Sequence, residues 1–389
     1  MGRALLVLAL GAAACAPVAS GPARSPDASG SEGSHAAQAA KPAAPPDVAA
    51  DAETYAGPDQ GTIEDEVEAS TAPLRGGRRS RHPLDAVSNS ELERRLVSDP
   101  TSLDSISIGR PSGGRLMNAV QMPQSDRWEL VDPNHAWGTR ETVDYLCRAI
   151  GAVHERFPGS PKLYVGHLSA REGGPIAPHV SHQSGRDVDI SYFYTQGQRW
   201  YGRATAKNLD RPRTWAFVRA LVTETDVEMI LMDASIQHLL REHASKNGED
   251  AAWLDSLFRG RDGVPPIIRH VSGHATHLHI RFHNPTAEET ARRVYPLLLR
   301  HQRVAPPVQF VHHRAKEGDT LGKLAKRYGT SIEAIQRANG LKEKNFVRAG
   351  RVYLVPRAGG PKAAAEPPSS VPTRRLPPTP SSSTGRGGV

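Results

Sequence analysis

The chain has 389 residues, a net charge of +8, 5% aromatic residues and a 38% apolar share. It is long enough for a substantial core but too polar on average for one large domain. Basic runs such as Arg75-Gly-Gly-Arg78-Arg79-Ser-Arg81 lack the interleaved aromatics on which single-stranded nucleic acid stacks, so they read as solvated tail rather than a nucleic-acid interface. The composition predicts one main domain, a small accessory one, and polar segments around them.

Residues 1–20 predict an export signal: Arg3 precedes an apolar run from Ala4 to Ala14 that is too short to span a bilayer. Cys15 closes this run and resembles the lipidated cysteine of a bacterial lipoprotein signal, although Ala12 stands where leucine is usual. Cleavage near Val18-Ala-Ser20 is the alternative. The expected location is therefore the periplasm or cell envelope, with a lipid anchor at Cys15 as one form of it. Residues 21–82 are rich in Ala, Pro, Ser and Gly, enclose an acidic patch at Glu64-Asp-Glu66, and predict a disordered linker.

Residues 83–304 predict the main domain, with mixed helices and strands. Ser90 to Leu96 reads as a short capped helix. Trp137-Gly-Thr139 opens a second helix, on which Val143, Leu146, Cys147 and Ile150 share a face. Cys147 is the only cysteine besides Cys15 and reads as a buried structural thiol. Leu163–Gly166, Asp187–Ile190, Val227–Met232 and Leu278–Phe282 are strand candidates. Trp215–Thr223, Ile236–His243 and Ala287–Arg300 are helix candidates. The expected fold class is α+β, with a central antiparallel sheet and flanking helices. Residues 310–357 predict a small β-α-α-β unit, with Asp319 or Thr320 and Thr330 or Ser331 as helix caps. Residues 358–389 predict a disordered tail.

Two segments carry chemistry: His179-Val-Ser-His182-Gln-Ser-Gly-Arg-Asp187-Val-Asp189 and His274-Ala-Thr-His277-Leu-His279. Residues two apart on a strand face the same way, so His277 and His279 share a face, as do Asp187 and Asp189. Imidazole and carboxylate ligands with one open position make a hydrolytic zinc site, in which the ion acidifies bound water and polarises a carbonyl. Strand parity does not separate Asp187 from Asp189 as the ligand. The chain has no Gly-x-Ser-x-Gly elbow and no His-Glu-x-x-His, so covalent serine catalysis and the helical zincin site are not supported.

The main domain resembles the penicillin-insensitive murein endopeptidases, within the wider group of zinc D-alanyl-D-alanine metallopeptidases. The likeness rests on Ser181-His182-Gln-Ser-Gly185-Arg-Asp187-Val-Asp189 and His277-Leu-His279. It extends through Ser107-Ile-Gly109-Arg-Pro111, Gly113-Gly-Arg-Leu116, Trp137-Gly-Thr139 and Gly173-Gly-Pro175, about half the chain. The resemblance implies one zinc ion on His182, Asp189 and His279, and favours Asp189 over Asp187. It implies catalytic work for His277, assisted by His274, with His179 as a further active-site histidine. Ala275 departs from the family, which often carries an acidic residue there to orient the histidine at position 274. The small unit resembles a LysM domain through Gly318-Asp-Thr-Leu321, Tyr328-Gly-Thr330, Asn339-Gly-Leu341 and Gly350 to Pro356, which implies binding to peptidoglycan glycan. Together these imply a D,D-endopeptidase that hydrolyses D-alanyl-diaminopimelyl cross-links. The alternatives are a D,D-carboxypeptidase or L,D-endopeptidase on the same site, or a non-catalytic wall-binding protein.

Overall fold

The computed structural model describes residues 86–176, 179–198, 200–304, 309–341, 346–357 and 374–379. The export signal, Cys15 and the linker expectations lie outside these residues. The chain divides into two units, Met1–Ala56 and Gly57–Val389, and the described residues all belong to the second.

Helix α1, Asn89–Ser98, begins one residue earlier than Ser90 suggests. Ser88 is its cap, accepting the backbone N–H of Glu91, and Leu92 and Leu96 are buried. A hairpin follows, with β1 (Ile106–Arg110) antiparallel to β2 (Gly113–Met117). The short pair β3 (Val120–Gln121) and β5 (Trp137–Gly138) brackets β4 (Trp128–Leu130). Helix α2, Arg140–Arg156, starts at Thr139, whose side chain accepts the N–H of Thr142. Its inner face carries Val143, Leu146 and Ile150, with Cys147 packed beside them but only partly buried, not the fully buried thiol expected from the stripe. Strands β6 (Leu163–Val165) and β7 (Asp187–Ile190) come next, then helix α3 (Arg211–Glu224) and strand β8 (Val227–Met232). Helices α4 (Ala234–Lys246) and α5 (Ala251–Phe258) precede β9 (Ile268–His270) and β10 (Leu278–Phe282), and α6 (Pro285–Arg300) closes the domain.

Six strands form the central sheet in the order β4-β6-β7-β10-β8-β9. The inner strands pair antiparallel as predicted, but β4 with β6 and β8 with β9 are parallel, so the sheet is mixed. The edge strands β4 and β9 are three residues each, too short to show a period of two in sequence. Val188, Ile190, Leu278, Ile280 and Phe282 enter the main core with residues of α2 and α3. The opposite face of β7 and β10 carries Asp187, Asp189, His279 and Arg281, and these too are buried.

The small unit folds as predicted: β11 (Gln309–Arg314), α7 (Leu321–Tyr328), α8 (Ile332–Ala338) and β12 (Val352–Arg357), with β11 and β12 antiparallel. Thr320 and Ser331 are the caps. Buried Asn339 accepts the N–H of Leu354 and donates to the carbonyls of Leu354 and Ile335, tying helix to strand.

One stretch of the expected disordered tail is ordered. Arg374 Nε lies 2.8 Å from Asp226 Oδ1, Arg375 donates to the Pro265 carbonyl at 2.6 Å, and Trp253 Nε1 donates to the Arg375 carbonyl at 2.7 Å. A polar, proline-rich composition gives no core of its own, yet two arginines find fixed acceptors on the main domain. Among the described residues no helix is long and apolar enough to cross a membrane.

Candidate metal centre

The antiparallel register of β7 and β10 builds the site. His279 stands opposite Asp189, and Arg281 opposite Asp187. Directly opposed side chains on one face of an antiparallel pair are neighbours, so the pairing gives the two aspartates different partners. Arg281 Nε donates to Asp187 Oδ1 at 2.7 Å, and a second guanidinium nitrogen lies 3.3 Å from Oδ2. Asp187 also accepts the backbone N–H of His182 at 3.0 Å. Its carboxylate is thereby committed to holding the loop and strand together, which leaves Asp189 to face the histidines.

His182 arrives on that loop with φ +65°, in the left-handed region that few non-glycine residues adopt. Gly185 stands in the same region at φ +76°, where a Cβ would sit 2.7 Å from Leu116 Cδ2. The tight turn is thus closed by a residue without a side chain, and the Gly185 carbonyl receives the Thr139 N–H that starts α2.

His182 Nδ1 lies 2.9 Å from the Leu168 carbonyl, which can only accept, so Nδ1 carries the proton and Nε2 presents a lone pair. Nε2 is buried without a hydrogen-bond partner, 3.3 Å from Asp189 Oδ1. His279 Nδ1 lies 3.1 Å from the same oxygen, while its Nε2 lies 3.8 Å from Asp187 Oδ1 and has no hydrogen-bond partner. The ring thus lies between two carboxylates, hydrogen-bonded to Asp189 and in ion-pair range of Asp187. His179 Nδ1 is 3.5 Å from Asp189 Oδ2, and donor atoms of His179, His182 and Asp189 all lie within 4.8 Å of one another. His182 Nε2, buried without a hydrogen bond, and the Nδ1 atoms of His279 and His179 lie 3.1–3.5 Å from the Asp189 carboxylate, a donor set and spacing that fit a zinc ion.

The remaining predicted residues are in the same place. His277 Nε2 lies 3.8 Å from Asp189 Oδ1, its Nδ1 lies 2.9 Å from Thr276 Oγ1, and its ring stacks on Tyr201 with centroids 5.1 Å apart. His274 lies 4.8 Å from His277, ring to ring. His274 Nδ1 is 3.4 Å from the Ser272 carbonyl oxygen. The His274 carbonyl is itself fixed by the hydroxyl of Tyr192 at 2.7 Å.

Electrostatics sorts these groups. Burial alone would raise the Asp189 carboxyl, but His182 and His277 hold it well below the usual carboxylate range. Asp187 is likewise held low against burial, chiefly by Arg281. Burial disfavours a charged His279, yet the carboxylates of Asp187 and Asp189 outweigh it and push the ring up to about 10. Burial brings His277 down to about 4 despite Asp189, and lowers His274 and His179 well below their ordinary value. At neutral pH, His277 is therefore a neutral imidazole, able to take a proton.

Below about 10 the His279 ring keeps its proton in the cation-free protein, whereas a ligand must be neutral. Cation uptake at neutral pH is expected to release about one proton through this ring, and affinity to rise roughly tenfold per pH unit as pH increases toward that value. Calorimetric titration in two buffers of different ionisation enthalpy reads the proton count; a count of zero would show that the His279 ring is already neutral in the cation-free protein.

Asp132, His135 and His167 adjoin this cluster through His167, whose Nδ1 lies 2.8 Å from His179 Nε2, and sequence reasoning passed them over. They come from loops and show no strand period; the one local signal is Asp132-Pro-Asn-His135, an aspartate whose side chain accepts the Asn134 N–H and meets His135 three residues on.

An α+β domain whose paired strands gather imidazoles around one carboxylate defines the class, a domain with a candidate metal site. Residues 107–297 match the family described as penicillin-insensitive murein endopeptidase, and residues 313–356 match the LysM domain. The chain thus carries a penicillin-insensitive murein endopeptidase domain with a LysM domain behind it. Proteins of the same name are similar to it. That of Pectobacterium atrosepticum is 26% identical over 210 residues, covering 49% of this chain and 68% of the relative. That of Yersinia pestis is 23% identical over 209 residues, covering 49% and 70%. An Escherichia coli protein is 24% identical over 209 residues, with the same shares.

Proposed function

We propose that the main domain is a zinc-dependent murein D,D-endopeptidase acting on the D-alanyl-diaminopimelyl cross-links of peptidoglycan. The observation that carries this reading is the lone pair of His182 Nε2, buried without a hydrogen bond 3.3 Å from Asp189. His182, Asp189 and His279 would hold the ion, which when bound supplies Lewis acidity toward the scissile amide. Asp187, clamped by Arg281, orients His279 from behind. His277 takes or delivers the proton moved during amide cleavage, because burial keeps it neutral and Tyr201 fixes its ring plane. His274 packs against His277 and limits its movement, and His179 borders Asp189 on the other side.

The LysM domain would hold the enzyme on peptidoglycan glycan, where even a weak contact raises the local concentration of cross-links. Export to the periplasm or cell envelope, with a lipid anchor at Cys15, would place both domains at that polymer.

Purified cross-linked muropeptide dimers, incubated with the protein before and after chelation and resolved by mass, test the reading. Conversion of dimers to monomers that is lost on chelation and restored by zinc is expected. Free alanine as the only product would replace endopeptidase by carboxypeptidase action, and an unchanged substrate would reduce the chain to a wall-binding protein.

A further inference from the structure

We propose a second divalent-cation site, formed by Asp132, His135 and His167 at the outer edge of the proposed zinc centre, suited to a zinc-like ion. One ligand atom from each residue lies within 4.8 Å of the others. His135 Nδ1 is 2.7 Å from Asp132 Oδ2, and His167 Nε2 is 3.5 Å from the same oxygen. Two ligands on a four-coordinate ion with bonds of about 2.0–2.1 Å stand roughly 3.3 Å apart, so these spacings bracket what such an ion requires. Two imidazoles with one carboxylate select a borderline transition-metal ion over magnesium or calcium, which take oxygen ligands.

The backbone presents these groups together. Residues Pro133–His135 form a short 3-10 turn whose cap is Asp132, and the His135 carbonyl accepts the N–H groups of Leu168 at 2.8 Å and Ser169 at 3.1 Å. That pairing draws His167 against the turn. The three side chains are 20–34% exposed, so an ion there would keep open positions toward solvent and substrate.

The outer site is joined to the inner one. His167 Nδ1 lies 2.8 Å from His179 Nε2, and His179 Nδ1 faces Asp189 Oδ2 at 3.5 Å. A cation on His167 Nε2 leaves that ring's proton on Nδ1, to be donated to His179 Nε2, so a neutral His179 carries its own proton toward Asp189. In that state His179 supports the Asp189 carboxylate as a donor. This consequence rests on the inner-site reading; the outer site itself does not.

The test counts metal in the full chain, stripped by chelator and re-equilibrated with the same free zinc concentration. His135→Ala is expected to hold one equivalent fewer than wild type, and the near-isosteric Asp132→Asn to match it, with cation-free melting temperatures within a few degrees of wild type. An equal metal count in wild type and in a folded variant of either kind would overturn the outer site, whatever the inner site binds. Dimer cleavage is scored separately, so a wild type that binds the extra ion without cleaving muropeptides would sink the peptidase reading and leave this one standing.

Discussion

Asp189→Asn is expected to leave a folded protein that no longer retains zinc through dialysis and no longer converts muropeptide dimers. Among the described residues Asp189 is the one carboxylate that His182, His279, His277 and His179 all approach within 3.8 Å, so it is the hub of the cluster. The amide keeps the shape but removes the negative charge that favours a dication among imidazoles. The same change at Asp187 would act differently. There the carboxylate balances the buried Arg281, and breaking such a pair from one side costs roughly 3–5 kcal/mol of stability. Metal content and thermal melting therefore separate the two aspartates: metal lost with little melting change marks position 189, and a lower melting temperature marks 187. Full zinc retention by Asp189→Asn would remove this residue from the ligand set.

His277→Ala is expected to do the opposite, keeping the metal while lowering kcat by roughly 10²–10⁴-fold, the range that positioned acid–base groups contribute. His277 Nε2 is 3.8 Å from Asp189, farther than the nitrogens of His182 and His279, and Thr276 already occupies its other nitrogen. Its low value of about 4 means the neutral ring persists through the neutral range and is lost only on acidification. Metal counts by mass spectrometry beside single-turnover cleavage of dimers decide the matter. Loss of the metal would recast His277 as a ligand, and unchanged cleavage would remove it from the chemistry.

Much of this arrangement is legible in the amino-acid order because strands alternate. The parity of Asp187-Val-Asp189 and His277-Leu-His279 foretells that acids and imidazoles share a face while Val188, Leu278 and Ile280 enter the core, and the structure agrees. The apolar stripes of α2, α7 and α8, and caps such as Thr139, Thr320 and Ser331, are equally local. The parallel edge strands were less readable, because three residues carry no usable period and parallel pairing leaves no mark in adjacent sequence. Helix α5, Ala251–Phe258, and the docked arginines 374 and 375 likewise depend on partners far along the chain.

The sequence by itself determined the inventory: two His/Asp segments on alternating strands, an export-like start, and a small β-α-α-β unit whose helices were bounded by their own caps. Those properties reside in residue type and short spacing, which backbone periodicity converts directly into geometry. Only the tertiary structure decided which aspartate faces the histidines. Asp187 and Asp189 have the same parity, and the distinction comes from cross-strand register, which sets one against Arg281 and the other against His279. It also decided that His167, Asp132 and His135 adjoin the site, since loop-borne side chains meet through backbone hydrogen bonds between segments that no local pattern connects.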